Sequence, residues 1–339
     1  MMKVLITGAP GWLGNRFLEI LIKHDQVAEF SRDWEIRCLV LKGMNLGFIR
    51  ELSKIRNIEC VEGDIRNPES LEKATKGIDV VFHIAGIIHP KKIEELYEIN
   101  SDGTKNILTA SIKNGVRRII FTSSNSVSGT NLSRDLLMKE SDPPRPYLNY
   151  GKSKFLAEQA VNRAYESKKI ETVILRPCWY YGPNQPDRQT TFFKMIEKGN
   201  PIIFGDGKNL RSMSYADNTC QALILAAKSQ KANGQTYWIA DSEPYSMIKI
   251  YQTVADLLSV KNFRPRYVPG FISEAGLLAD KALQGLGLYI KEIHVAGEMN
   301  KDIACSVEKA KRDLGYAPDI DLKEGMRRSI AWCRAKGTL

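Results

Sequence analysis

Two short stretches of this sequence hold residues whose types and spacing suit chemistry. The first, Gly8-Ala9-Pro10-Gly11-Trp12-Leu13-Gly14, spaces three glycines as GxxGxxG. Gly8 permits a tight turn, Gly11 lets the main chain approach a pyrophosphate, and Gly14 lets a following helix pack close to the preceding strand. Exposed amides at that helix start then hold phosphates, so Trp12 and Leu13 count with the glycines as dinucleotide contacts. Glycines at this spacing also occur in plain strand-to-helix turns. Here the turn directly follows a first apolar run, residues 3–7, and opens a stretch with apolar residues at helical spacing, which points to a dinucleotide site.

The second stretch is Tyr150-Gly151-Lys152-Ser153-Lys154. On a helix, Tyr150 and Lys154 share one face. An ammonium beside a phenol, with a cationic nicotinamide nearby, lowers the phenol pKa from its free value of about 10. Tyr150 is then a general base near neutral pH. Thr122-Ser123-Ser124 ends the fifth apolar run, where a doubly wound fold places ligand-contacting residues, although serines there are also ordinary turn residues. The end of the second run, Leu39-Val40-Leu41-Lys42-Gly43, lacks the acid that commonly binds ribose hydroxyls. Lys42 favours a 2′-phosphate, and hence NADP, with NAD left open. Asp64 is expected either to accept from an adenine amino group or to cap the helix ahead of Pro68, or both.

The elements that must position these groups follow from periodicity. Runs at residues 3–7, 36–41, 58–61, 80–84 and 118–122 are continuous rather than alternating and are separated by helix-like stretches, including residues 92–114. That pattern predicts an α/β, Rossmann-type, doubly wound parallel sheet over residues 1–175. A helix over 147–168 leads into a strand at 172–175. From Pro177 to Gly207 repeated prolines and glycines suggest loops over a cleft, and residues 176–339 form a smaller, mainly helical substrate region partly interleaved with the sheet. Residues 275–288 (AGLLADKALQGLGL) have an apolar helical face, expected to pack in the core or over the substrate pocket rather than on a membrane or partner.

The chain has 339 residues, 43% hydrophobic and 26% charged, which excludes collagen-like and disordered classes. Forty-nine Lys and Arg against 39 Asp and Glu give a net charge of +10. The cations are scattered, with no nucleic-acid motif, so a solvated surface is expected and no nucleic-acid partner. No run is long enough to span a bilayer and no secretory signal is legible, so a cytoplasmic protein is expected. Six scattered cysteines fit reduced, buried thiols, with neither a disulfide frame nor a metal site.

Taken together, the glycine turn, Asp64, His83-Ile84-Ala85-Gly86, Asn100, the serines and the YxxxK pair resemble, in order and over nearly the whole length, the extended short-chain dehydrogenase/reductase family (NAD-dependent epimerase/dehydratase type). The resemblance implies that Tyr150 exchanges a proton with a substrate hydroxyl while hydride moves to or from NAD or NADP, that Lys154 also binds the nicotinamide ribose, and that Ser124 hydrogen-bonds the reacting oxygen. Ser126 is the next candidate and a substrate contact. Ile65, Ile84, Ala85, Gly86 and Pro177 would line the cofactor, and Asn100 would brace the site through the main chain. A homodimer through the helices at 92–114 and 147–168 is a further expectation from the resemblance.

For the substrate, Tyr181-Gly182-Pro183 and Gly205-Asp206-Gly207-Lys208-Asn209-Leu210-Arg211 look like the substrate segment of nucleotide-sugar epimerases, where the arginine matched by Arg211 grips a diphosphate. A nucleotide sugar is therefore the leading expectation. Cys178 and Trp179 replace an asparagine usual in those epimerases. Arg176-Pro177-Cys178 and Leu314-Gly315-Tyr316-Ala317-Pro318 are also similar to 3β-hydroxysteroid dehydrogenase-like and ketone-reductase branches, which would take an apolar substrate. A non-catalytic dinucleotide-binding regulator is the third reading. Dehydration fits less well, because Ser123 and Ser124 stand where family dehydratases carry acids.

Overall fold

The structure is a computed structural model and describes residues 1–23 and 31–339. His24, at the end of the first expected helix, lies outside the described residues. The chain opens with β1 (Met2–Thr7), α1 (Trp12–Lys23), β2 (Trp34–Val40), α2 (Gly47–Ser53), β3 (Ile58–Glu62), α3 (Pro68–Thr75) and β4 (Val80–His83). There follow α4 (Gly103–Lys113), β5 (Arg118–Thr122), α5 (Leu148–Glu166), β6 (Glu171–Pro177), β7 (Trp179–Tyr181), α6 (Asp187–Glu197), β8 (Ile202–Phe204), β9 (Leu210–Arg211) and β10 (Met213–Tyr215). The remainder is α7 (Ala216–Lys228), β11 (Gln235–Ile239), β12 (Tyr245–Ser246), α8 (Met247–Leu257), β13 (Arg266–Val268), α9 (Gly270–Gly285), α10 (Lys291–Glu298), α11 (Glu308–Leu314) and α12 (Leu322–Ala335).

Seven strands form one sheet in the order β11-β6-β5-β4-β1-β2-β3, every pair parallel. The period of two along β1 explains its continuous apolar run. Val4 and Ile6 enter a core with Phe17 of α1, Phe82 and residues of α7, whereas Leu5 enters a second core with Phe121 and residues of α4 and α5. The order reverses between β1 and β4, so a crevice opens at their carboxyl ends, where open α/β sheets bind ligands. β11 brings the second half of the chain into the sheet, and a third core joins α6, α8 and α12.

Three elements differ from the sequence reading. The helix expected over 92–114 is a helical turn at Glu94–Leu96, a π-helical stretch at Tyr97–Asp102 and then α4. The glycine- and proline-rich segment after Pro177 is not all loop. No breaker falls between Pro186 and Gly199, and within that gap Thr190, Phe193 and Ile196 bury one side of α6 at a spacing of three. Finally, the apolar face of residues 275–288 is not packed inside: α9 buries Ser273, Asp280 and Gln284 and turns Leu278 and other apolar residues outward. Cys60 is also exposed, while the other five thiols are buried; Cys178 and Cys305 bring their Sγ atoms to 3.6 Å. Among the described residues no helix is long and apolar enough to cross a membrane.

Candidate active site

The β1–α1 turn is closed so tightly that its glycines have no room for a side chain. Gly8 has φ +90°, and a Cβ there would stand 2.7 Å from the Ala85 amide nitrogen. A Cβ on Gly11 would lie 2.6 Å from the Gly8 carbonyl oxygen, and one on Gly14 2.5 Å from the same atom. The turn thus sits against the loop after β4, and the first amides of α1, which have no acceptor within the helix, face outward at the crevice. Trp12 donates from Nε1 to the Pro183 carbonyl at 2.7 Å, tying the turn to the segment before α6.

Behind the turn runs a buried polar chain. His83 Nδ1 is 2.8 Å from Thr7 Oγ1 and its Nε2 3.0 Å from Thr104 Oγ1, and the Ala85 amide donates to Thr7 Oγ1 at 3.2 Å. Burial first, and then Lys154, push His83 down to about 3, so it is neutral here. Asn100, carried by the π-helical stretch, accepts from the Ile87 amide at 2.9 Å. It donates to the Ile87 carbonyl and to Ser153 Oγ at 2.9 and 3.1 Å. One side chain therefore fixes the loop after β4 against α5.

Tyr150 lies in the first turn of α5, and Lys154 one turn on. The Lys154 ammonium donates to the Thr122 carbonyl at 2.8 Å and stands 4.5 Å from the centre of the Phe121 ring. Burial pushes Lys154 down to about 7, with Glu158 opposing. For Tyr150 the expected fall in pKa is not what the protein's own groups produce: burial dominates and raises it, and the Ser124 hydroxyl only partly offsets this. Ser124 Oγ accepts from Ser126 Oγ at 2.8 Å and from the Ser126 amide at 3.3 Å. Gly151 is required by the approach of the Ser126 carbonyl, 2.4 Å from where its Cβ would be.

Gly8, Gly11, Trp12, Leu13, Ile84, Ala85, Gly86, Asn100, Tyr150 and Lys154 line one cleft. Ser124 and Ser126 are buried just behind Tyr150, and Gly14 supports the turn from beneath. Other predicted residues lie elsewhere. Lys42 is exposed beyond the end of β2, and Pro177 is buried at the end of β6 opposite Ile239. The Ile65 side chain packs into the core, where a Cβ on Gly103 would come within 2.8 Å of it. Asp64 is held by Arg66, with Nη2 2.6 Å from Oδ2, and this pairing lowers its pKa. It does not cap the next helix, because Asn67 accepts from the Glu69 and Ser70 amides there.

Arg211 is 6% exposed under α10, one terminal nitrogen donates to the Glu298 carbonyl, and its Nε has no partner. Sequence reasoning missed Tyr180, Arg188, Ile87 and Ile88, which also line the cleft. Arg188 has neither a hydrogen bond nor an ion pair among the described residues, and burial lowers its pKa while the nearby phenols of Tyr150 and Tyr289 oppose. Only the hydrophobic spacing that places α6 hinted at its position.

The model of the 3-beta hydroxysteroid dehydrogenase/isomerase family matches residues 5–264 of the chain. The chain belongs to that family. It is 41% identical over 345 residues to an uncharacterised protein, y4nL, of Sinorhizobium fredii (strain NBRC 101917 / NGR234), covering 98% of this chain and 96% of the other. It is 27% identical over 346 residues to 3beta-hydroxysteroid-dehydrogenase/decarboxylase isoform 1 of Arabidopsis thaliana, covering 96% of this chain and 78% of that one. Among solved structures, UDP-glucuronic acid 4-epimerase from Bacillus cereus, in complex with UDP-glucuronic acid and NAD, superposes with a TM-score of 0.77 at 23% identity, over 99% of this chain and 100% of that one. This member of the 3-beta hydroxysteroid dehydrogenase/isomerase family is an enzyme with the extended short-chain dehydrogenase/reductase fold.

Proposed function

We propose that this enzyme exchanges hydride between a nicotinamide dinucleotide and a secondary alcohol or ketone carbon on a mainly apolar molecule that carries an acidic group. The observation that carries the choice of substrate is the enclosure of Arg211 under α10. A nucleotide diphosphate needs that guanidinium open to the cleft, and here it is covered and bonded to the Glu298 carbonyl. Ile87, Ile88 and Tyr180 give the cleft apolar surface beside Tyr150. Arg188, a cation with no ion pair among the described residues, suits a carboxylate or phosphate on the substrate. The matched Arabidopsis relative is named for a steroid and a decarboxylation, which requires a carboxyl group on the molecule that loses it.

The residues present fit a dinucleotide, because the three crowded glycines leave a cradle that any Cβ would fill. Gly8, Gly11, Trp12 and Leu13 would hold its diphosphate, Lys154 its nicotinamide ribose, and Ile84, Ala85 and Gly86 its length. Bound there, the nicotinamide supplies or accepts the hydride and, when oxidised, adds a positive charge. Tyr150 gives or takes the hydroxyl proton, and Ser124, aligned by Ser126, holds the reacting oxygen. The Ser124 hydroxyl and the Arg188 charge partly offset the burial that otherwise keeps Tyr150 protonated, and Lys154, anchored on the Thr122 carbonyl, would add to this while it carries its proton.

A substrate panel with purified enzyme tests the reading. We expect reduced nicotinamide to form from 3β-hydroxysteroids or acidic apolar alcohols, with UDP-sugars neither turned over nor raising the melting temperature. Stabilisation by UDP-sugars with no net redox would instead support the epimerase reading.

A further inference from the structure

A buried ion pair stands one helical turn behind Lys154. Lys154 and Glu158 are four apart on α5, so they share a face, and each is 3% exposed. Both reach the seam between β5 and β6. Lys154 donates to the Thr122 carbonyl at 2.8 Å, and Thr122 lies opposite Leu175 in the register of the two strands. The next residue of β6 is Arg176, which holds Glu158 with two bonds: Nε donates to Oε1 at 2.8 Å and Nη2 to Oε2 at 2.6 Å. The other terminal nitrogen of Arg176 lies 3.4 Å from Ser128 Oγ, at the end of the turn that carries Ser124 and Ser126. The guanidinium carbon is 5.6 Å from the centre of the Trp238 ring. The Glu158 carboxylate is thereby fixed one turn from the ammonium.

A buried ion pair is a poor source of stability, since both charges must first leave water. This one has a second consequence, because Lys154 is itself buried and makes no ion pair among the described residues. A buried ammonium without a counter-charge gives up its proton. Few of the charged and titratable groups around it can help. His83 on β4 is neutral, and the phenols of Tyr150 on α5 and Tyr180 on β7 stay protonated because burial raises both. Arg188, which lines the same cleft from α6, is another cation, and Arg176 on β6 is paired with Glu158. Glu158 opposes the burial of Lys154 and favours its charged form.

We propose that Glu158, clamped by Arg176, is a positioning residue that keeps the Lys154 ammonium charged against the nicotinamide ribose. An ammonium donates charge-assisted hydrogen bonds to the ribose hydroxyls, which are stronger than those of a neutral amine. The dinucleotide is then held tightly only while Lys154 carries its proton. The inference rests on the reading that Lys154 meets the ribose, and it does not depend on which substrate is used.

Titration of the purified protein with NADH and with NADPH, followed by fluorescence from about pH 5.5 to about pH 9, tests it without any substrate. In the wild type, affinity is expected to fall as pH rises through about 7, where Lys154 loses its proton. Glu158→Gln removes the carboxylate, so Lys154 gives up its proton at lower pH. Binding should then be about threefold weaker than in the wild type at about pH 7, and equal to it at about pH 5.5. That variant leaves the Arg176 charge buried alone, which threatens folding, so E158Q/R176M removes both charges and should show the same displacement. Glu158→Asp keeps the charge and should follow the wild type over the whole range. Binding of neither dinucleotide, or a wild-type affinity constant with pH, would remove the ribose contact of Lys154 and the proposal with it. A wild-type affinity that falls with pH, matched at every pH by E158Q/R176M, would overturn the proposal alone and leave the ion pair a structural one.

Discussion

Tyr150 and Arg188 line the same cleft, one a proton carrier and the other a cation with no ion pair among the described residues. Burial raises the Tyr150 phenol, so it reaches the basic form only with help, and in the chain the Ser124 hydroxyl and the Arg188 charge act in that direction. Removing Arg188 takes away both that help and the partner for an acidic substrate. Arg188→Ala should therefore raise KM for a carboxylate-bearing substrate by tenfold or more while the Kd for the dinucleotide stays within about twofold, as read by steady-state kinetics and calorimetry. Equal weakening of both would place Arg188 on the cofactor's phosphates instead. The sequence made Tyr150, Lys154 and Ser124 legible because each sits in a spaced motif. Arg188 has no motif, and its meaning lies in its place in the cleft without an ion pair among the described residues.

At the scale of elements, the β1–α1 turn is the most constrained piece of the site. Gly14→Ala sets a Cβ 2.5 Å from one backbone oxygen and 2.8 Å from a backbone nitrogen, neither of which can move without opening the turn. Its expected cost is ~1–3 kcal/mol in urea unfolding, together with loss of measurable dinucleotide binding by calorimetry. β1, β4, β5 and β6 were readable because both of their faces are buried, which produces unbroken apolar runs, whereas β11, the seventh strand of the sheet, was not read from the sequence. The π-helical stretch that carries Asn100 was not, since its apolar spacing is that of an ordinary helix and only the backbone bonding differs. In α9 the error has a different cause. An apolar helical stripe reports that a face avoids water, and does not say whether protein or something else covers it. Its buried Asp280 finds His294 on the next helix, and its buried Gln284 finds Asn149, 135 residues away along the chain.

For the whole molecule, acid stability follows from the polar chain that joins β1, β4 and α4. His83 is held at about 3, against 6.5 for the free group, so between those values the unfolded chain binds a proton that the folded one does not. The contribution of this neutral histidine is present above pH 6.5 and is lost as pH falls toward 3, at ~1.4 kcal/mol per pH unit. His83→Gln cannot take up that proton. Its urea midpoint should fall less steeply than that of the wild type between about pH 6 and pH 4. Identical slopes would mean that the chain opens to water before it unfolds.

The central claim, that the Tyr150 phenol moves the proton over a nicotinamide held by the glycine turn, is tested most directly in Tyr150→Phe. Dinucleotide affinity and turnover would be measured side by side on a substrate identified by the panel. The account predicts unchanged affinity with kcat lower by ~10²–10⁴-fold. Turnover in Tyr150→Phe equal to that of the wild type would contradict it.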